Sequence, residues 1–358
     1  MKVLYVSDKP DWAIQNVGRM WLEGQPGIEA TFILAEDLSP DNFAQFDMVW
    51  FGFSLLFFSF YTTHRMSAAE LAKSVVAVHD PCEVLSQRPN WKEIPARGQS
   101  SYVTPSCWPW LVRTSMLKAA GTVITASEEL LLLLGSRGVK AELVSTTTDL
   151  PLRQSLTPSR PAFVSVYYPH ARKNERLMRE LQVFARERLG AAFDTKVGDT
   201  VLDREGYMKL FDSHSVYVCT SWQEGGPLPA MDAMARGCTV LSTPVGQIQE
   251  LIRDGENGFL CETEQDFIRA MQLITDQPEM LERMRLMALD TISRERNLVD
   301  IRRRAREIVM GTANREGSYG HSSLMRWYAH RVAQTAIGNS VIRSLVPMIR
   351  GLRGDGAH

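Results

Sequence analysis

Short, mainly apolar runs alternate with longer, partly polar segments along the first 150 residues. The runs at 3–6, 30–34 and 74–78 are short and rich in β-branched or large apolar side chains, which is typical of strands buried on both faces. Further strands are predicted at 47–53, 122–125 and 141–144, with helices near 12–22, 67–72, 110–119 and 127–134. Strands that alternate with helices predict an α/β domain over residues 1–150, in which helices cover a parallel sheet.

A second α/β unit follows a linker at 151–161, a segment with three prolines and three serines or threonines. Strands are predicted at 162–166, 216–219 and 239–243, and helices near 174–188, 264–274 and 280–309. Between 189 and 212 the pattern supports one weak strand at most. We therefore expect two Rossmann-like domains, 1–150 and 162–312, with a ligand held in the cleft between their strand ends.

Composition narrows the class of protein further. A chain of 358 residues is longer than one hydrophobic core usually fills, and a formal net charge of −1 gives no global basic field for nucleic acid. The five cysteines are scattered without CxxC spacing, which argues against a disulfide framework and against a zinc site. The opening residues MKVLYVSD predict a strand rather than a signal peptide. These features together predict a reducing, cytoplasmic location.

The stretch from Val216 to Leu260 carries the candidate chemistry. A buried strand ends at Cys219, a loop with Gly225 and Gly226 follows, and a helix can begin at Pro227, whose fixed φ suits a first helical turn. Glycines permit positive φ and close approach of a ligand to the backbone, while the helix start offers unpaired N–H groups. An anion is therefore the expected ligand of this loop.

Two acidic side chains flank this helix start. Glu224 precedes the helix and Asp232 lies about two turns along it, so their carboxylates are expected roughly 8–12 Å apart. That span fits a nucleotide sugar, with Glu224 at a sugar hydroxyl and Asp232 at a ribose diol. The amides of Gly225, Gly226 and Leu228 would then face the diphosphate.

This stretch resembles the retaining glycosyltransferases of the GT-B fold, family 4 type. The resemblance is carried by EGGPLPAMDAMARG from Glu224, by Gly246, by Glu250-Leu-Ile and by DGENGFL from Asp254. It implies two Rossmann-like domains, and a donor held by paired acids separated by seven residues, with Glu250 among the donor-binding residues. The second acid is Asp232 here, one methylene shorter than the usual Glu, which weakens the expected ribose contact.

Further site residues follow from the same resemblance. His79 ends a first-domain strand, where the family places a histidine that contacts the donor sugar; alternatively, His79 caps the strand and Asp80 opens a turn. Lys173 matches the family's diphosphate-binding lysine, but Tyr168 stands where its arginine usually lies. Arg172 is the expected substitute, although Arg172 and Lys173 also fit a solvated basic helix start; Lys196 is a weaker candidate for the diphosphate.

Two apolar segments leave alternatives open. The aromatic run from Met48 to Tyr61 is too short to span a bilayer and fits a buried strand followed by a core-lining or acceptor-lining segment. Trp50, Trp108 and Trp110 fit either an acceptor pocket or the core. The tail, 313–358, holds five arginines and no acid between residues 322 and 353, which suits an anionic membrane surface or docking onto the first domain.

The sequence thus predicts a retaining hexosyltransferase that moves a sugar from a nucleotide diphosphate to an acceptor hydroxyl in polysaccharide or glycoconjugate biosynthesis. The acceptor would be a glycan, a lipid-linked sugar or a small molecule. Because no Asp-x-Asp dyad ends a strand, neither a metal nor another cofactor is expected, and the leaving diphosphate would be neutralised by the helix amides, Lys173 and Arg172. The alternatives are a GT-B nucleotide-sugar 2-epimerase and a non-catalytic protein that binds nucleotide sugars or serves as a scaffold.

Overall fold

The computed structural model describes residues 1–10, 12–64, 66–83, 110–157, 160–167, 171–197 and 202–313. Its described residues form two parallel-stranded α/β units that face each other, as the alternating pattern predicts.

The first unit has a six-stranded sheet in the order β2-β1-β3-β4-β5-β6, with every neighbouring pair parallel. Its strands are β1 Lys2–Ser7, β2 Glu29–Leu34, β3 Met48–Phe51, β4 Ser74–Val78, β5 Thr122–Thr125 and β6 Glu142–Leu143. Its helices are α1 Ala13–Leu22, α2 Pro40–Gln45, α3 Ser54–Thr63, α4 Ala68–Ala72, α5 Trp110–Ala119 and α6 Glu128–Ser136. The carboxyl ends of β1, β3 and β4 lie side by side at one edge.

The second unit has a five-stranded parallel sheet in the order β11-β10-β9-β7-β8. Its strands are β7 Ala162–Tyr167, β8 Ala192–Val197, β9 Val216–Cys219, β10 Thr239–Ser242 and β11 Gly258–Leu260. The helices that follow the linker are α7 Glu175–Arg188, α8 Arg204–Asp212, α9 Leu228–Ala235, α10 Ile248–Leu251, α11 Glu264–Asp276, α12 Pro278–Glu295 and α13 Leu298–Ala313. In the described part of 189–212 the strand is β8, followed by α8, so the single strand predicted there is confirmed.

The last described helix, α13, returns to the first unit. Ile301 and Ile308 of α13 are buried in one apolar cluster with Val17 and Trp21 of α1. The Arg302 side chain donates to the Met20 carbonyl oxygen at 2.9 Å. Helix α13 thus packs on the first unit, so the single helix predicted at 280–309 is wrong: α12 and α13 are separate helices on different units.

The aromatic run from Met48 to Tyr61 forms β3 and then α3, whose Phe57, Phe58 and Tyr61 are buried in the first core. Trp50 is also a core residue, because it is fully buried with its ring 5.5 Å from that of Trp21. The core interpretation therefore holds for most of this run.

Some expectations lie partly or wholly outside the described residues. Trp108, Tyr168 and the tail beyond residue 313 fall there, so the two alternatives for the tail remain predictions. Among the helices that the structure describes, none has the length and hydropathy needed to cross a membrane.

Candidate active site

A cleft of about 550 Å³ separates the two sheets. The ends of β1, β3 and β4 form one wall, while the loops after β7 and β9 and the start of α9 form the other. Eight of the nine predicted site residues line it: His79, Arg172, Lys173, Glu224, Gly225, Gly226, Leu228 and Asp232. Lys196 lines the cleft as well. The ligand site expected between the domains is therefore a physical cavity.

The two loop glycines are required by packing rather than by backbone conformation. Neither Gly225 nor Gly226 has a positive φ, so the loop does not use the backbone freedom that glycine permits there. A Cβ atom at Gly225 would lie 1.5 Å from the His79 carbonyl oxygen, and one at Gly226 would lie 2.3 Å from Gln247 Nε2. Gly246 is the glycine with a positive φ, at 49°, and it packs against the Gly225 carbonyl. Glycine at 225 thus lets the second domain touch the main chain of the first.

Glu224 is buried at the loop before α9. Its Oε1 accepts a hydrogen bond from Ser221 Oγ at 2.7 Å and also pairs with Lys173 Nζ. Burial alone would raise the pKa of Glu224, but the charges of Lys173 and Arg172, with the two hydrogen bonds, outweigh it and lower the pKa below its ordinary value. Glu224 is therefore an oriented carboxylate at neutral pH.

The turn Ala171–Lys173 brings both basic side chains to the cleft. Thr220 Oγ1 donates to the Lys173 carbonyl oxygen at 2.9 Å, and the Trp222 amide donates to the Arg172 carbonyl oxygen at 2.6 Å. Asn174 follows in the left-handed region, with φ 51° and ψ 55°, and caps α7. The loop after β9 therefore fixes the turn that carries Arg172 and Lys173.

Arg172 reaches across the cleft to an acid that the sequence analysis had treated only as a turn former. Arg172 Nη1 lies 2.9 Å from Asp80 Oδ2, while Asp80 Oδ1 accepts from Gln223 Nε2 at 2.6 Å. Asp80 belongs to the first domain, and its two partners belong to the second. The available signal was the position of Asp80 directly after His79 at a strand end, since such positions line clefts in α/β proteins.

The His79 ring is neutral and held from the first domain. Its Nε2 lies 2.8 Å from the Gly52 carbonyl oxygen, which can only accept, so Nε2 carries the proton. The ring stacks on Trp21 at 5.8 Å between centroids, and burial lowers the His79 pKa to about 4. His79 can therefore contact a ligand as an uncharged group at neutral pH.

Glu83 is a second acid that sequence reasoning missed. Its Oε1 accepts from the amides of His79 and Asp80 at 2.7 and 2.8 Å, and its Oε2 accepts from the Ser54 amide and hydroxyl at 2.9 and 2.6 Å. Burial raises the Glu83 pKa to about 7, although the hydrogen bonds from Ser54 and His79 act in the opposite sense. Glu83 thus fastens the loop that carries His79 and Asp80 to the start of α3.

Asp232 and Glu250 differ in placement. Asp232 lines the cleft beside Thr148, and burial, with the nearby charge of Asp149, raises its pKa from 3.8 to about 7. Glu250 does not line the cleft: its Oε1 accepts from the Glu128 amide at 2.7 Å and its Oε2 pairs with Arg296 at 3.1 Å. Glu250 therefore joins α10 to the start of α6, and the donor contact expected of it stays a prediction that this geometry does not favour.

Comparison with known proteins agrees with this geometry. Residues 201–288 match the family model of glycosyl transferases group 1. An uncharacterized glycosyltransferase of Haemophilus influenzae is 32% identical over 87 residues, covering 22% of this chain and 25% of that protein. A D-inositol 3-phosphate glycosyltransferase of Streptomyces griseus is 37% identical over 76 residues, covering 21% of this chain and 16% of that protein. The matched segment therefore spans a quarter or less of these curated relatives.

Solved structures extend the likeness to both domains. The Anabaena protein HepE in complex with UDP superposes with a TM-score of 0.62 at 13% identity, covering 87% of this chain and 100% of that one. At that identity the likeness shows the fold alone. The chain therefore has the GT-B fold of two Rossmann-like domains, and its second domain carries the sequence pattern of glycosyl transferases group 1.

Proposed function

We propose that this protein is a retaining, metal-independent glycosyltransferase that moves a hexose-type sugar from a nucleotide diphosphate to an acceptor hydroxyl. The observation that carries the proposal is the meeting of Glu224, Lys173 and Arg172 with the start of α9 in one cleft between the domains. The solved neighbour HepE, which binds UDP and glucose, supports a nucleotide-sugar ligand for this cleft.

The second-domain wall suits the donor. Lys173 and Arg172 supply positive charge for the diphosphate. The amides of Gly225, Gly226 and Leu228 add hydrogen-bond donors at the positive end of the α9 dipole. Asp232, about one turn into the same helix, faces the position of a ribose diol. Glu224, ionised by its surroundings, accepts hydrogen bonds from the hydroxyls of the transferred sugar.

Retention would follow from attack on the same face from which the diphosphate leaves. The bond from sugar C1 to the phosphate oxygen breaks, a bond from C1 to the acceptor oxygen forms, and the departing phosphate oxygen takes the acceptor's proton. Lys173, Arg172 and the helix amides stabilise the charge that develops on that oxygen. His79 contacts the sugar without exchanging a proton, because its Nε2 proton is directed to Gly52 and its pKa is about 4.

The acceptor would enter along the first-domain wall, where Trp12, Phe53 and Leu55 line the cleft. A glycan, a lipid-linked sugar or a small hydroxylated molecule fits this part of the proposal. A cytoplasmic location is part of it too, supported by the free, buried thiols of Cys219, Cys238 and Cys261. Contact of the tail with the membrane surface remains a proposal from composition.

The test begins with a thermal-shift panel of UDP, GDP, ADP and dTDP sugars, since a bound donor raises the apparent melting temperature. The stabilising donor is then incubated with an acceptor library, and the anomeric configuration of any product is read by NMR. Transfer with retained configuration supports the proposal, and an inverted product contradicts it. Heat of binding without turnover would indicate the non-catalytic alternative, and a C2 epimer of the donor would indicate the epimerase.

A further inference from the structure

Asp80 is an acid of the first domain that pairs with a cation of the second domain across the cleft. Its two carboxylate oxygens are both used across the cleft, one by Arg172 Nη1 at 2.9 Å and the other by Gln223 Nε2 at 2.6 Å. The pair is largely shielded, with the Asp80 side chain 11% exposed and that of Arg172 33% exposed. An ion pair in such a place is screened less than a surface pair.

The surroundings show that Asp80 is positioned for this contact. Glu83 accepts from the Asp80 amide, which fixes the loop, and Gly225 packs against the carbonyl of the preceding residue, His79. Gln223 Oε1 is buried and has no hydrogen-bond partner among the described residues, although Gln223 Nε2 is bonded to Asp80. The arrangement therefore uses both Asp80 oxygens while leaving a buried polar atom of the same contact, Gln223 Oε1, unsatisfied.

Arg172 can bind either the Asp80 carboxylate or a phosphate group of a ligand. A guanidinium binds a carboxylate and a phosphate through the same planar N–H groups, so a diphosphate in this cleft must compete with Asp80 for Arg172. Lys173 faces no such exchange between domains, because its carboxylate partner, Glu224, belongs to its own domain. Binding of a diphosphate therefore has to break a contact between the domains at Arg172, but not at Lys173.

We propose that Asp80 is a positioning residue that acts as a stand-in anion: it holds Arg172 across the cleft and is displaced from it when a diphosphate binds. That the displacing anion is a diphosphate rests on the proposed function. That an anion can displace Asp80 from Arg172 rests on the contact between these two residues. The exchange makes donor binding weaker than the cleft's cations alone would allow. It also couples occupation of the diphosphate site to the contact between the two domains.

The test uses inorganic pyrophosphate as the probe, with binding measured by calorimetry on the full chain. Asp80→Asn keeps the shape of the side chain but removes its charge, and it should bind pyrophosphate roughly threefold to tenfold more tightly than the wild type. A gain of that size means that Asp80 occupies Arg172 in most unliganded molecules. Adding Arg172→Ala to Asp80→Asn should abolish the gain.

Glu142→Gln is the matched control. Glu142 also pairs with an arginine of another element, Arg304, at 3.0 Å, but it lies outside the cleft lining. The Glu142→Gln variant loses the same charge as Asp80→Asn, so it corrects for the effect of net charge on anion binding. Its pyrophosphate affinity should stay within about twofold of the wild type. Asp80→Ser serves as the second variant if Asp80→Asn does not fold.

The outcomes separate this inference from the proposed function. Unchanged or weaker pyrophosphate binding in both folded Asp80 variants overturns the stand-in role, even if the wild type transfers sugar. Tighter binding that depends on Arg172, in a protein without sugar transfer, supports the exchange and leaves the proposed function contradicted. If pyrophosphate binds to neither the wild type nor the Asp80 variants, the inference is wrong.

Discussion

Gly225 of the second domain lies directly against the carbonyl oxygen of His79 in the first domain. A Cβ atom at position 225 would come within 1.5 Å of that oxygen and 2.5 Å of the carbonyl carbon. Backbone atoms cannot rotate away as a flexible side chain can, so any larger residue must push the two domains apart. Closure of the cleft thus depends on this one glycine.

Gly225→Ala should therefore hold the cleft open without unfolding either sheet, since each sheet packs against its own apolar clusters. We expect turnover to fall at least about tenfold, equivalent to about 1.4 kcal/mol, because closure excludes water and completes the site. Small-angle scattering should show a larger radius of gyration. Gly135→Ala is the control, since a Cβ there meets nothing within 4 Å. Full activity at an unchanged radius would contradict the role of Gly225.

Local patterns account for most of the fold. Strands such as β4 and β9 are buried on both faces and are almost entirely apolar, so composition alone reveals them. Helix α3 was harder to predict, because a helix buried on nearly all sides has no polar face. Its apolar sequence fits a buried strand as well as a buried helix. The motif from Glu224 to Asp232 was recognisable because its residues are close in sequence.

Contacts between distant residues were not predictable in the same way. Asp80 and Arg172 are 92 positions apart, and no local pattern states which loops of two domains will meet. Glu83 was missed for a related reason: a buried acid is stabilised by backbone amides, which leave no trace in the side-chain pattern. For the same reason Glu250 was assigned to the donor from its family position, whereas its partners lie on α6 and at Arg296.

The ion pair between Glu224 and Lys173 provides a direct test of the site. Glu224→Gln keeps the hydrogen bond from Ser221 possible but removes the charge, and Lys173→Ala removes the cation; each should lower turnover at least about tenfold. Lys209→Ala is the control, because Lys209 pairs with Glu205 on the exposed face of α8. Steady-state kinetics with the identified donor measure the effect, and circular dichroism verifies folding. Full turnover in both site variants would refute this assignment.

The raised pKa of Asp232 predicts a pH dependence of donor binding. With a pKa of about 7, the carboxylate that accepts ribose hydroxyls is mostly protonated at pH 6 and mostly ionised at pH 8. Affinity for a nucleotide sugar should therefore rise roughly tenfold over that range. Calorimetry in matched buffers measures it, and Asp232→Asn should bind weakly with a flat profile. A wild-type affinity that is flat or falls with pH would contradict the role of Asp232.

The raised pKa of Asp232 also predicts that the stability of the protein without ligand falls as the pH rises. A carboxyl group whose folded-state pKa is raised from 3.8 to about 7 binds its proton more tightly in the folded protein. Its contribution to the free energy of unfolding is therefore complete below pH about 4 and is lost as the pH rises through about 7. Glu83 should add a similar pH-dependent contribution to the free energy of unfolding, since its pKa is also raised to about 7. Thermal unfolding of the wild type and Asp232→Asn should therefore show a difference that changes between these pH values, and a constant difference would exclude the effect.

Two roles of Glu250 can be distinguished by experiment: donor binding, which the family resemblance implies, and the contact with α6 and Arg296, which the structure shows. Its side chain is 17% exposed, accepts from the first amide of α6 and pairs with Arg296. Glu250→Ala therefore removes the acceptor for a helix start and the partner of a largely buried arginine. We expect a loss of about 1–3 kcal/mol in the free energy of unfolding, seen as a lower melting temperature, with nucleotide affinity changed less than about twofold. Glu129→Ala is the control, because Glu129 accepts from Gln249 at the exposed side of the same contact. A tenfold loss of nucleotide affinity at an unchanged melting temperature would instead support a donor contact.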